Sequence, residues 1–132
     1  MIKKTMIVLL AGAALFTACK KTETAATTTA QKILGKWTYV SDVYTYYSQG
    51  TSKTTTTLGN ASDYADFRVN GKVYTQFHNS FDTSDYKIIN DNKISIDGDT
   101  SLIKTLTATS FIAYNKRVSV RDSSETTGTF KK

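Results

Sequence analysis

The stretch Asp66-Phe67-Arg68-Val69-Asn70-Gly71-Lys72-Val73-Tyr74, DFRVNGKVY, admits two hairpin registers. A two-residue Asn70-Gly71 turn pairs Val69 with Lys72 and Phe67 with Tyr74, and it throws Val73 and Phe77 onto the face opposite Phe67. A three-residue loop, a type I turn followed by Gly71 in the left-handed region, pairs Arg68 with Lys72 instead. Phe67 then faces Val73, with Phe77 on the same side, while Asp66, Arg68, Lys72 and Tyr74 share the other face. Side chains alternate across a strand, so a one-residue slip exchanges the faces. Only the second register separates apolar from charged residues, and it is the one expected.

Outward from this hairpin the same grammar continues. The chain beyond Ile33 is rich in Thr, Tyr, Val and Ile, and the sequence contains no proline. Turn signals recur about every eight to twelve residues, the spacing of an all-β sandwich or barrel. Eight strands are expected, at Lys36–Tyr47, Ser62–Val69, Lys72–His78, Asp85–Ile89, Lys93–Ile96, Ser101–Leu106, Ser110–Val120 and Thr126–Lys131. Nearly all the intervening loops are short, so consecutive strands are expected to be antiparallel neighbours. Closure of this up-and-down meander into a small β-barrel removes the two exposed edges. Ile94 shares a face with Ile96, and Tyr86 with Ile88. The longest gap, Ser48–Ala61, carries a Thr run and two glycines and is expected to be a mobile loop.

Before the barrel the composition changes twice. Lys3 and Lys4 precede an uncharged run, Met6–Phe16. That run of about eleven residues is too short to span a bilayer core of about 30 Å. A basic start, a short apolar run and small residues before a cut site are the parts of a secretory signal. Next, Lys20–Gln31 (KKTETAATTTAQ) holds no large apolar residue and reads as a tether. The domain boundaries are therefore 1–18 for the signal, 19–31 for the tether and 32–132 for one barrel domain.

The join between signal and tether is Phe16-Thr17-Ala18-Cys19, holding the one cysteine of the chain. It resembles the bacterial lipobox, with Phe16 where family members more often have Leu. The resemblance implies that Cys19 becomes the first mature residue and carries the lipid. Several acyl chains on one residue give a stable membrane hold where a single chain does not. No second cysteine exists to form a disulfide within the chain.

The start of the domain, Ile33-Leu34-Gly35-Lys36-Trp37, contains a G-x-W, which resembles the lipocalin signature at the closed base of the barrel. With "FRVNGKV", "DYKIINDNKISI" and "IKTLTATSFIAY", it is similar to the small lipocalin-like lipoproteins common in the Bacteroidetes. That resemblance covers most of Ile33–Lys132. It implies Gly35 and Trp37 at the barrel base and a ligand entering at the opposite end, beneath the Ser48–Ala61 loop. Strand alternation puts Tyr39, Val43 and Tyr47 on the Trp37 face. With Phe67 and Val73, they are the expected ligand-binding wall. A domain of this size is shorter than a typical ligand-carrying lipocalin, and short strands can be filled by their own side chains. The alternative reading is therefore a structural or protein-interaction module without a ligand cavity.

Charge and chemistry exclude other classes. The formal net charge is +6, and loss of Lys3 and Lys4 with the signal lowers it to +4. Lysines are scattered, without a basic run interleaved with aromatics, so no nucleic-acid partner is expected. His78 is the single histidine, and neither a metal-ligand cluster nor a nucleophile motif accompanies it. It is expected to be a polar residue at a strand end. Asp82, Asp85, Asp97 and Asp99 fall in turns, where Asp bonds its own backbone. No enzyme, metal or cofactor is expected. The expected location is the bacterial cell envelope, with the lipidated Cys19 holding the protein to a membrane. Lys20-Lys21-Thr22-Glu23 lacks the acidic cluster associated with surface export, which points to the periplasmic face of the outer membrane.

Overall fold

The computed structural model describes residues 26–132; the signal segment, Cys19 and the first part of the tether lie outside the described residues. The last residues assigned to the tether are not extended. Thr28 accepts from the Gln31 amide while the Gln31 side chain accepts from the Thr28 amide. This capping box starts a short helix, α1 (Thr29–Ile33). The helix delivers Ile33, fully buried, beneath the barrel.

Nine antiparallel strands follow: β1 (Gly35–Ser48), β2 (Thr51–Leu58), β3 (Tyr64–Phe67), β4 (Lys72–Phe77), β5 (Ser80–Asn90), β6 (Lys93–Ile96), β7 (Asp99–Leu106), β8 (Ser110–Val118) and β9 (Asp122–Lys131). They form one sheet in the order β2-β1-β3-β4-β5-β6-β7-β8-β9, and β9 also pairs with β1. That last pairing closes an eight-stranded barrel of β1 and β3–β9, with β2 as an additional strand. The Phe67 hairpin takes the register that segregates charge. Phe67 lies opposite Val73, the Arg68 amide donates to the Lys72 carbonyl, and Gly71 has φ +77°.

The expected loop Ser48–Ala61 is corrected by β2. Gln49 and Gly50 have φ +48° and +78°, so they make a tight two-residue turn. Thr51–Leu58 then pairs with Ser41–Ser48 along its whole length. The Thr run that suggested mobility is β-branched, and such residues favour extended backbone. Thr45 and Thr54, directly opposite, share a hydroxyl hydrogen bond of 3.0 Å. A second correction has the same cause. The expected loop Asn79–Ser84 begins one residue earlier and ends sooner, because His78 and Asn79 (φ +49° and +69°) turn the chain directly into β5.

β2 and β3 lie end to end along the same edge of β1, since Leu58 pairs with Ser41 and Tyr64 with Thr38. They are two halves of one long strand, interrupted by residues 59–63. That interruption sits opposite an irregularity in β1. Tyr39 pairs with Phe130, but Ser41, not Val40, pairs with Thr129. One extra residue in β1 is a β-bulge, and it reverses the alternation beyond it. Gly59 fits here because a Cβ would stand 2.4 Å from the Tyr39 carbonyl oxygen.

The packed core occupies the base of the barrel. It comprises Ile33, Trp37, Ala65, Phe67, Val73, Ile94 and Phe111, with Tyr86, Ile88, Ile103 and Leu106 against it. All of these lie between Ile33 and Phe111, and closure by β9 ends at Lys131, so the described residues contain their own core. Trp37 is fully buried and its indole Nε1 donates to the Ile33 carbonyl at 2.7 Å. Lys132 covers the same ring, with Nζ 4.3 Å from its centroid, and donates to the Leu34 carbonyl.

Candidate functional site: a half-open barrel

Above the core the barrel is not filled. A cavity of about 610 Å³ opens toward the end bearing the His78-Asn79 turn. Its volume lies within the range of small-molecule sites, about 300–1,000 Å³. Its floor is Ala65, Phe67, Val73, Ile94 and Phe111; Ile96, Phe77, Ala113 and Phe130 form the wall. Alternation explains the set, since residues i and i+2 of one strand face the same side. Phe111, Ala113 and Asn115 come from β8, Thr126, Gly128 and Phe130 from β9, and Val73, Thr75 and Phe77 from β4.

The aromatic rings form a chain from base to mouth. Trp37 lies 5.7 Å from Phe111, Phe111 5.3 Å from Phe130, Phe130 5.6 Å from Tyr39 and Tyr39 5.1 Å from Phe77. These separations suit tilted or offset ring contacts. The result is a rigid apolar wall with Tyr39 as its one hydroxyl-bearing member.

Of the residues expected to meet a ligand, Tyr39, Phe67 and Val73 line the cavity. Val43 and Tyr47 do not; they stand exposed on the outer face. The bulge at Val40 is the reason. It keeps Trp37 and Tyr39 inward but turns Asp42 inward in place of Val43, so the pattern continues through Tyr44 and Tyr46. Gly35 opens β1 with φ +98°, and with Trp37 it lies at the closed base. Periodicity alone overlooked Phe111, Phe130 and Asp42. The i, i+2 spacing in "SFIAYN" and "TTGTF" marks the first two, but nothing in the sequence marks a bulge.

Two carboxyl groups near the mouth have opposite environments. Asp42 is half-buried in the cavity wall. Desolvation raises its pKa, and the hydrogen bond from the Tyr39 hydroxyl lowers it only in part. Tyr39 is itself pushed up to about 12, first by burial and then by the negative charge of Asp42. Gly128 makes room for this pair, because a Cβ there would lie 2.9 Å from Asp42 Oδ1. Asp63, by contrast, is a structural latch. Burial acts to raise its pKa, but the amides of Asn60 and His78 donate to its two oxygens at 3.0 and 2.8 Å and hold it below the ordinary range. The latch ties the 59–63 interruption to the β4–β5 turn and so shapes one side of the mouth. His78 is exposed in that turn and contributes its backbone amide to the latch.

No group of three or more His, Cys, Asp or Glu gathers as a metal site among the described residues. What the arrangement offers chemically is enclosure: apolar walls, a few hydroxyl and amide groups at the rim, and one half-buried carboxylate. Neither a protein-family model nor a curated protein matches this chain.

Proposed function

We propose that the protein is a lipid-anchored component of a bacterial cell envelope whose lipocalin-like barrel holds a small or apolar ligand without catalysing a reaction. The observation that carries the reading is the cavity of about 610 Å³ above a packed base. A barrel serving only as a rigid spacer gains stability by filling that space, since interiors pack to nearly crystalline density. The aromatic chain from Trp37 to Phe77 supports an apolar ligand body. The lipobox-like Phe16–Cys19 and the basic, apolar segment before it support export and attachment through Cys19, on the periplasmic side of the outer membrane.

The decisive experiment is titration of residues 26–132 with the neutral fluorophore N-phenyl-1-naphthylamine, alongside mass spectrometry of small molecules that co-purify with the domain. Saturable enhancement at one site per chain is expected. No enhancement would sink the carrier reading. For the anchor, Cys19→Ala in the full chain is expected to release the protein from the membrane fraction and abolish labelling by a fatty-acid analogue. Unchanged labelling would refute it.

One observation favours a second reading, a protein-interaction module. β2 pairs only with β1 among the described residues, so its other edge offers unpaired backbone groups along Thr51–Leu58. Edges of this kind accept an added strand. Absence of probe binding together with capture of an envelope protein that Thr54→Pro abolishes would transfer the function to this edge.

A further inference from the structure

The cavity has a charge pattern that the chain as a whole does not. The protein is basic, at +6, yet the cavity lining contains two aspartates, Asp42 and Asp82, and neither Lys nor Arg. Asp82 is exposed at the rim. Asp42 is set into the wall between the aromatic chain and the rim, in the same lining as Tyr39. Among the described residues no ion pair includes it; the carboxylates that do pair are Asp66, Asp85, Glu125 and Asp99. The nearest cations on the same strand face are Lys53 and Arg117. Each lies four residues along its strand from the level of Asp42, about 13 Å at about 3.3 Å per residue, and Arg117 is bound to Asp99.

A carboxylate facing an apolar cavity without a cation is costly unless something compensates it. The local structure keeps it there nonetheless. The β1 bulge aims Asp42 inward, and Gly128 leaves the space its oxygen occupies. Resting on the ligand-binding reading above, we infer that the barrel selects a lipophilic monocation: an amine whose ammonium group meets Asp42 while its hydrocarbon body lies along Tyr39, Phe130 and Phe111. An alkyl carboxylate of the same length is disfavoured, because its charge would face Asp42 with neither Lys nor Arg in the lining; the one basic group there, His78, is exposed in the rim turn.

The test is competition against N-phenyl-1-naphthylamine at neutral pH by octylammonium, octanol and octanoate, which share one chain length and differ in head-group charge. Octylammonium is expected to displace the probe at a concentration at least about tenfold below octanol, with octanoate the poorest; a tenfold ratio is about 1.4 kcal/mol. Asp42→Asn, nearly the same shape, should bring octylammonium to within about twofold of octanol, whereas Asp91→Asn, outside the cavity lining, should alter the order of none of the three. Equal competition by the three compounds on the unaltered domain overturns the inference without recourse to any variant. So does a preference that survives Asp42→Asn or disappears in Asp91→Asn. If octanol and the probe bind but octylammonium has no advantage, the carrier reading stands and this inference alone fails. If the probe does not bind at all, both fail.

Discussion

Truncation of Trp37 measures how much of this small domain rests on the closed base. The side chain is fully buried. A Trp buries about 200 Å², worth about 5 kcal/mol at about 25 cal/mol per Å². Compactness of the unfolded chain reduces that to about 3–4.5 kcal/mol. Removing the indole also leaves the Ile33 carbonyl without its donor, at a cost of about 1–3 kcal/mol if water does not replace it. The expected loss for Trp37→Ala is therefore about 4–7.5 kcal/mol, comparable to the whole stability of many small domains, about 5–15 kcal/mol. Trp37→Phe separates the two contributions. It keeps most of the contact with Phe111 but not the hydrogen bond, so about 1.5–3 kcal/mol is expected. Trp37 is the single tryptophan of the chain, so its fluorescence vanishes in both variants. The assay is accordingly urea unfolding followed by far-ultraviolet circular dichroism. A loss below about 1.5 kcal/mol for Trp37→Ala, or equal losses for the two variants, would refute the argument that an anchored ring closes the base.

Three further outcomes follow from the geometry. Ala113→Phe projects a ring into the cavity and should abolish binding of N-phenyl-1-naphthylamine, while Tyr47→Ala, on the outer face, should leave it unchanged; the reverse result would mean that β1 continues its alternation without a bulge. Gly59→Ala places a Cβ against the Tyr39 carbonyl and should destabilise by about 1–3 kcal/mol in chemical unfolding; an unchanged midpoint would show that the backbones do not approach so closely. Asp63 has a depressed pKa in the folded state, so its contribution is present above the ordinary carboxylate pKa and falls away as pH drops through the lower, folded value. Asp63→Asn should lower the thermal midpoint at pH 7 and flatten its decline in acid, and an identical acid profile in the variant would remove the latch from the account.

The strand content and most of the barrel were legible in the sequence because they depend on local chemistry. Hairpin turns need glycine or asparagine at positive φ, and a half-buried strand alternates. The Phe67–Val73 register followed from segregation of charge alone, and the shared face of Ile94 and Ile96 followed from period two. The same logic failed where a local rule had two solutions. A Thr run with glycines reads as a flexible loop or as an exposed strand, and only a partner decides which. Thr51–Leu58 becomes a strand because Ser41–Ser48 lies beside it, presenting a ladder of backbone groups.

The site shows the limit more sharply. Tyr39, Phe67 and Val73 were placed by counting outward from Trp37 and Gly71. Counting past Val40 gave Val43 and Tyr47, and the count was off by one residue. A bulge has no composition of its own here. It arises because β3 ends, residues 59–63 intervene and β2 resumes along the same edge, so β1 must gain a residue to pair with both halves and with β9. By itself the sequence determined that there would be an antiparallel barrel with Trp37 near its start, since alternation and turn chemistry act over a few residues. Which face of β1 meets the interior beyond Tyr39, and hence that an aspartate lines the cavity, was decided by pairings between segments some ninety residues apart.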